Sequence, residues 1–89
     1  MLDMVAEIEQ RTRKQVIERD KGRCVLCNRN AQDVHEIIPR SRYGKKNMGE
    51  CFKIENRCCL CRDCHSQAHT KPMRIALQQL LTEKYHYNY

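Results

Sequence analysis

Four of the seven cysteines in this 89-residue chain stand in two Cys-x-x-Cys pairs. The pairs are Cys24/Cys27 and Cys61/Cys64, and their spacing lets one tight turn present two sulfur atoms to a tetrahedral zinc ion. Two such turns complete a closed site, so the sequence predicts a structural Zn²⁺ bound by four thiolates. The alternatives are a redox Cys-x-x-Cys or unrelated buried thiols.

Three of the four histidines lie between and just after these pairs, at His35, His65 and His69. His65 and His69 are four residues apart, so on a helix they share one face, about 6 Å apart along the axis, and can share a metal ion. Bound zinc would bring His35, on a predicted strand, toward the second cysteine pair. Three neutral imidazoles leave positions on a divalent ion for water or a phosphate oxygen, which is typical of a catalytic site. The alternative is surface histidines or histidines that replace a zinc ligand.

The residues between and around the cysteine pairs resemble the zinc-ribbon branch of the HNH endonucleases. The resemblance rests on Asp-Val-His-Glu-Ile-Ile-Pro-Arg-Ser-Arg at residues 33–42, on Asn56, and on Cys-Arg-Asp-Cys-His at residues 61–65. It covers residues 19–70 and implies a ββα-metal motif, in which two strands, a loop and a helix hold one divalent metal ion against DNA.

The resemblance implies roles for individual residues. His35, His65 and His69 would be ligands of a catalytic divalent metal ion such as Mg²⁺, Mn²⁺ or Ni²⁺. Asn56 corresponds to the asparagine of the family, which hydrogen-bonds within the loop and fixes the strand that carries the base, a positioning role. Glu36 stands where the family usually has the histidine that acts as general base. Glu36 is therefore interpreted as the base, as a metal ligand or outer group, or as the sign of a weakened site.

The activity that the resemblance implies is metal-dependent hydrolysis of a DNA phosphodiester, leaving a 5′-phosphate and a 3′-hydroxyl. One metal site per chain would cut one strand per encounter, so we expect nicking by a monomer or a weak homodimer. Candidate DNA contacts follow the first predicted strand, at Arg40, Arg42, Lys45 and Lys46. The alternative is a non-enzymatic zinc-ribbon module that binds nucleic acid, or an accessory protein with a weakened site.

Few elements are needed to position these residues. We predict one domain over residues 1–89, a small α+β fold stapled by metal, with the ββα-metal motif held between two zinc knuckles and flanked by N-terminal and C-terminal helices. We predict an N-terminal helix at about 2–21 and a C-terminal helix at about 73–84, with zinc knuckles at 24–27 and 61–64. The ββα-metal motif covers about 33–70. Its strands are predicted at 33–38 and 57–60, and a loop is predicted at 40–49.

Apolar residues at helical spacing predict which helix faces are buried. We expect the tail at residues 85–89 to fray, with packing on the domain or stacking on bases as the alternatives. We expect the three remaining cysteines to act as small hydrophobic residues. The N-terminal stripe consists of Leu2, Val5, Ile8, Val16 and Ile17, the C-terminal stripe of Met73, Ala76, Leu77, Leu80 and Leu81, and the remaining cysteines are Cys51, Cys58 and Cys59.

Composition limits the class of protein. With 40% hydrophobic residues, one Phe and no Trp, the core is thin, and a chain of this size usually needs a staple. The net charge of +6 and a basic run over residues 11–23 favour a polyanionic partner. An odd number of cysteines without an apolar leader predicts a reducing, cytoplasmic location. No apolar window approaches the roughly 18 residues that cross a bilayer, so no membrane partner is expected.

Overall fold

The computed structural model describes residues 2–89, with side chains from Met4 onward. The prediction of a small α+β domain with N-terminal and C-terminal helices is confirmed, whereas the Leu2 side chain lies outside the described residues. The elements are helix α1 (Leu2–Arg19), strand β1 (Asp33–Glu36), helix α2 (Met48–Cys51), strand β2 (Arg57–Leu60), helix α3 (Arg62–Ser66) and helix α4 (Lys71–Tyr85), with 3₁₀ turns at Arg40–Arg42, Lys45–Asn47 and Ile54–Asn56.

Helix α1 ends at Arg19, slightly before the predicted end, because the chain then enters left-handed backbone. Lys21 has a φ of 58° and Gly22 a φ of 67°. The Gly22 N–H donates to the Ile17 carbonyl at 2.9 Å, which satisfies a carbonyl that the helix end leaves free. Glycine adopts this φ without the steric cost that a Cβ atom adds. The turn directs the chain into the first cysteine pair.

The two predicted strands are present as β1 and β2, and they pair in a two-stranded antiparallel sheet. Directly opposed residues include His35 with Cys58 and Glu36 with Arg57. Strand β1 is shorter than the predicted range of 33–38. The pairing nevertheless continues for one more hydrogen bond, from the Ile37 N–H to the carbonyl of Asn56 at 2.8 Å.

Different helices cover the two faces of this sheet. Successive side chains of a strand point to opposite faces, so His35 and Glu36 lie on different sides. Helix α1 covers the Glu36 side, where the Arg57 Nη1 donates to the Glu9 carbonyl at 2.8 Å and to the Thr12 hydroxyl at 3.0 Å. The other side belongs to the main core, which consists of Cys24, Ile37, Cys58, Leu60, Cys61, Ala68, Leu77 and Leu81.

Burial follows the predicted apolar stripes with two exceptions. Val16 on α1 and Leu77 and Leu81 on α4 are fully buried, whereas Ile17 remains 39% exposed and Ala76 is also exposed. The three cysteines outside the Cys-x-x-Cys pairs are all buried, as expected of small hydrophobic residues. Burial is the largest cause that raises the pKa of Cys59 to about 11, so this thiol stays protonated at neutral pH.

The segment predicted as a loop at residues 40–49 folds into consecutive short turns. The Tyr43 N–H donates to the Arg40 carbonyl at 3.0 Å, and the Asn47 N–H donates to the Gly44 carbonyl at 2.9 Å. These local hydrogen bonds pair backbone groups that an extended loop would leave to water. The segment therefore presents its basic side chains from a folded backbone.

The buried carboxylate of Asp20 connects α1, β2 and the C-terminal tail. Its side chain is fully inaccessible to solvent and forms an ion pair with Arg19 at 2.9 Å. It accepts the Cys59 N–H at 2.9 Å and the Tyr85 hydroxyl at 2.6 Å. The Arg19 guanidinium also stacks on Tyr85 and lies 3.3 Å from the Tyr87 hydroxyl. The tail that we expected to fray therefore packs against α1, because a desolvated ion pair needs these partners.

Among residues 2–89, no helix has both the length and the apolar character that crossing a bilayer requires. The longest helix, α1, exposes charged side chains on the side away from the sheet, including those of Arg11 and Lys14. All seven cysteines are free thiols, which is consistent with a reducing compartment.

We predict that Asp20→Ala lowers the free energy of unfolding by about 3 kcal/mol or more, because it leaves the buried Arg19 charge without its partner. The measurement is urea denaturation of zinc-loaded protein followed by circular dichroism. Glu18→Ala, which removes an exposed carboxylate two residues earlier, within helix α1, should change the free energy by less than about 0.5 kcal/mol. Equal effects of the two substitutions would contradict the structural role of Asp20.

Candidate functional site

The two cysteine pairs meet in space. The ligand atoms of Cys24, Cys27, Cys61 and Cys64 all lie within 4.8 Å of one another. In the first turn, the Asn28 N–H donates to the Cys24 carbonyl at 2.8 Å, and Asn28 has a φ of 66°. In the second, the Cys61 sulfur caps α3 by accepting the Cys64 N–H at 3.4 Å. Each pair thus closes on its own turn before the two pairs meet.

The four sulfur atoms fit a zinc ion. Zn–S bonds of about 2.3 Å in a tetrahedron place sulfurs about 3.8 Å apart, and the Cys27 and Cys61 sulfurs lie 3.6 Å apart. The Arg29 Nε donates to the Cys27 sulfur at 3.2 Å, and this bond is the largest cause that lowers the pKa of Cys27 to about 6. The thiolate form that zinc requires is therefore favoured at this residue. The cluster indicates a zinc-binding site.

The three histidines singled out in the sequence are neighbours in space. The ring centroids of His35 and His65 are 4.9 Å apart, and each ring lies 5.4 Å from that of His69. The spacing predicted that His65 and His69 share one helix. In the structure His69 lies outside the helix that carries His65. Helix α3 ends at Ser66, because the N–H groups of the next residues turn back to the Cys64 and His65 carbonyls. His69 reaches the group from the turn before α4.

His35 carries an unpartnered nitrogen at the centre of this histidine group. Its Nε2 is buried and has no hydrogen-bond partner. Desolvation, followed by the neighbouring His65 and His69, lowers the pKa of His35 to about 4. The ring is therefore neutral at pH 7 and offers a lone pair.

The resemblance implies a catalytic metal ion, and the residues of the histidine group fit that ion only in part. The orphaned His35 nitrogen and two adjacent imidazoles supply a suitable donor set. Among the residues that the structure describes, however, the four cysteines are the one group of three or more His, Cys, Asp or Glu side chains whose donor atoms lie within 4.8 Å of one another. The three histidine rings are thus close to one another, but their donor nitrogen atoms do not all lie within 4.8 Å of one another.

Asp33 joins the histidine group, although the sequence analysis gave it no role. Its Oδ2 lies 2.9 Å from the Nδ1 of His65, and its Oδ1 lies 3.2 Å from the Nη2 of Arg62. The His65 contact is the largest cause that lowers the pKa of Asp33 below its usual value. A signal was present in the sequence, because Asp33 is two residues before His35 and strand alternation places both on one face.

The side chain of Asn56 closes the turns between the strands. Its Oδ1 accepts the Ile38 N–H at 2.8 Å, and its Nδ2 donates to the carbonyls of Ile38 and Cys51 at 3.0 and 2.9 Å. Buried amides that make several hydrogen bonds fix the backbone around them. Asn56, which directly precedes β2, therefore holds the segment after β1 against the start of β2.

Glu36 lies among arginines on the other side of the sheet from the His35 position. Its Oε1 accepts the Arg40 Nε at 2.9 Å, and its Oε2 lies 3.6 Å from the Nη2 of the buried Arg57. Arg40 also approaches Glu9 of α1 at 3.4 Å. The structure thus brings Glu36 together with two arginines, and no contact joins it to the histidine rings.

The basic residues of the predicted loop lie at the Glu36 end of β1. Arg40 stacks over the Phe52 ring at 5.0 Å while its side chain remains 55% exposed. The side chains of Arg42, Lys45 and Lys46 are exposed. All four cations are therefore accessible to a partner, and stacking restricts the orientation of Arg40.

The family models, the curated proteins and the solved structures with which the chain was compared contain no match.

We predict that Cys24→Ser loses bound zinc and unfolds or loosens the domain, because a buried ligand of the cluster that holds both turns is removed. The measurements are zinc content by mass spectrometry and thermal unfolding. Cys51→Ser is the control, since Cys51 is buried but lies outside the cluster, and it should keep one zinc per chain. A well-folded, metal-free Cys24→Ser protein would contradict the stabilising role of the cluster.

Proposed function

We propose that this protein is a metal-dependent DNA endonuclease of the HNH type that nicks one strand per encounter. The observation that carries the proposal is the proximity of the His35, His65 and His69 rings, which the order of residues in the HNH resemblance requires. The unpartnered nitrogen of buried His35 supports it, since a native buried polar atom without a partner calls for a ligand.

In the proposed reaction the three histidines hold a divalent metal ion such as Mg²⁺, Mn²⁺ or Ni²⁺. Held by these residues, such an ion would supply Lewis-acid stabilisation of the negative charge that develops on a scissile phosphate and on a departing 3′ oxygen. Asn56 acts as a positioning residue, since its three hydrogen bonds fix the turns between the strands. The products are a 5′-phosphate and a 3′-hydroxyl.

Glu36 stands at the position of the general base in the resemblance and is proposed as the group that accepts the proton of the attacking water, although it lies on the opposite face of the sheet from His35. Its side chain is 14% exposed. The hydrogen bond from Arg40 restricts its rotation, and orientation of a base contributes to its efficiency. Arg40, Arg42, Lys45 and Lys46 neutralise DNA phosphates on this side of the site, each contact adding about 0.9 to the slope of log binding constant against log salt.

The second candidate function is a zinc-containing module that binds nucleic acid without cleaving it. The ion pairs of Glu36 with Arg40 and Arg57 favour this alternative, because both carboxylate oxygens face arginines and lie on the opposite face of the sheet from His35. The same exposed cations would serve both functions. Metal-dependent turnover distinguishes them.

We predict that the purified protein converts supercoiled plasmid to the relaxed form with Mg²⁺, Mn²⁺ or Ni²⁺, and that His65→Ala abolishes this activity. The reason is that the substitution removes one of three proposed metal ligands. Gel electrophoresis of the products, with and without added divalent ion, provides the measurement.

His86→Asn is the matched control for this assay. His86 lies outside the histidine group with a φ of 63°, which asparagine tolerates, and its variant should nick at the wild-type rate. The endonuclease proposal fails if no metal-dependent product forms, or if the His65→Ala protein yields as much product as the wild type. DNA binding without cleavage would then support the second candidate.

We predict that Glu36→Ala slows nicking at least tenfold, equivalent to about 1.4 kcal/mol in the activation free energy, while zinc content stays unchanged. The proposed proton acceptor is lost, whereas the zinc ligands are not. Single-turnover rates at saturating metal ion give the measurement. Glu50→Ala, which removes an exposed carboxylate paired with Lys53, should keep the wild-type rate. Full activity of Glu36→Ala would remove Glu36 from the mechanism.

A further inference from the structure

Two residues of α3 hold one carboxylate of β1. Arg62 contacts Oδ1 of Asp33 at 3.2 Å, and His65, three residues later, contacts Oδ2 at 2.9 Å. The side chains of Asp33 and His65 are 22% and 30% exposed, whereas that of Arg62 is 73% exposed. Each carboxylate oxygen therefore has its own partner on the helix, and rotation of the carboxylate would cost both hydrogen bonds.

This contact determines which nitrogen of His65 carries the hydrogen. A neutral imidazole has one N–H and one lone pair, and an ionised carboxylate only accepts hydrogen bonds. With Oδ2 of Asp33 at 2.9 Å from Nδ1, the neutral form of His65 that makes this hydrogen bond has its hydrogen on Nδ1 and its lone pair on Nε2. A carboxylate on the first nitrogen also raises the basicity of the second toward a metal ion.

The ring that is held in this way is one of the three rings of the histidine group. Its centroid is 4.9 Å from that of His35 and 5.4 Å from that of His69. His35 has the unpartnered buried nitrogen, and His69 is exposed. Of the three rings, His65 is the one for which the structure shows a side-chain hydrogen bond, and this contact restricts its orientation.

We infer that Asp33 is a positioning residue that holds His65 in the Nδ1–H tautomer and so makes Nε2 the metal-binding nitrogen, with Arg62 fixing the other carboxylate oxygen. The role toward metal rests on the proposed function, whereas the tautomer is a property of the protein without added divalent ion. Asp33 thus acts on the site through His65 and touches no reacting atom.

The first test is the tautomer of His65 in the zinc-loaded protein without other divalent ions, read from long-range ¹H–¹⁵N NMR spectra of the histidine side chains. The wild type should show the Nδ1–H form at His65. Asp33→Ala should shift the population toward the Nε2–H form, and Asp33→Glu, which keeps a carboxylate, should restore part of the Nδ1–H population. Asp63→Ala is the matched control, because Asp63 is on the same helix as His65. The Asp63 side chain is 79% exposed and pairs with Arg29 rather than with a histidine.

The second test is the affinity of the zinc-loaded protein for Mn²⁺ or Ni²⁺, measured by isothermal titration calorimetry. Asp33→Ala should weaken this binding about 10- to 100-fold, whereas Asp63→Ala should leave it unchanged. An Nε2–H tautomer at His65 in the wild type overturns the inference, and this result needs no variant to fold. An unchanged tautomer or an unchanged affinity in well-folded Asp33→Ala also overturns it. A wild type that binds no second ion counts against the proposed function, and the tautomer then decides the role of Asp33.

Discussion

The four-cysteine cluster is the constraint on which the rest of the fold depends. Cys24 and Cys61 are buried in the main core and also belong to the set of four sulfur atoms within 4.8 Å of one another. The cluster joins the turn after α1 to the turn after β2, and a core with a single Phe has little else to hold these segments together. Because His65 directly follows Cys64, the same cluster sets the position of a histidine of the candidate site.

The two faces of the sheet carry different polar groups, which are ion-paired arginine and glutamate side chains on one face and histidine rings on the other. On the α1 side, Arg57 is 1% exposed, hydrogen-bonds to α1 and forms an ion pair with Glu36, so a buried charge links helix and strand. On the other side, His35 lies near two further imidazoles beside the apolar core. Strand alternation produces this separation from adjacent residues. A substitution at Glu36 is therefore expected to affect the α1 interface as well as any role in proton transfer.

Local patterns in the sequence predicted most elements. Apolar spacing located α1 and α4, and β-branched residues before Pro39 located β1. The predictions were less accurate where contacts between distant segments decide. The packed tail depends on Asp20 and Arg19, about 65 residues from Tyr85 along the chain, and this contact has no local sequence signature. The early end of α3, which moves His69 off the helix, is by contrast a local feature, because the next N–H groups turn back to the Cys64 and His65 carbonyls.

The sequence by itself determined the two cysteine pairs, the three histidines and the order of elements that carries them, because ligand spacing and hydrophobic periodicity are local properties of a chain. Only the tertiary structure decided that Asp33 bonds to His65, that Glu36 lies among arginines, and that the histidine rings come within 5.4 Å of one another. The physical reason is that strand pairing and the cysteine cluster bring together side chains whose separation along the chain says nothing about their distance in space.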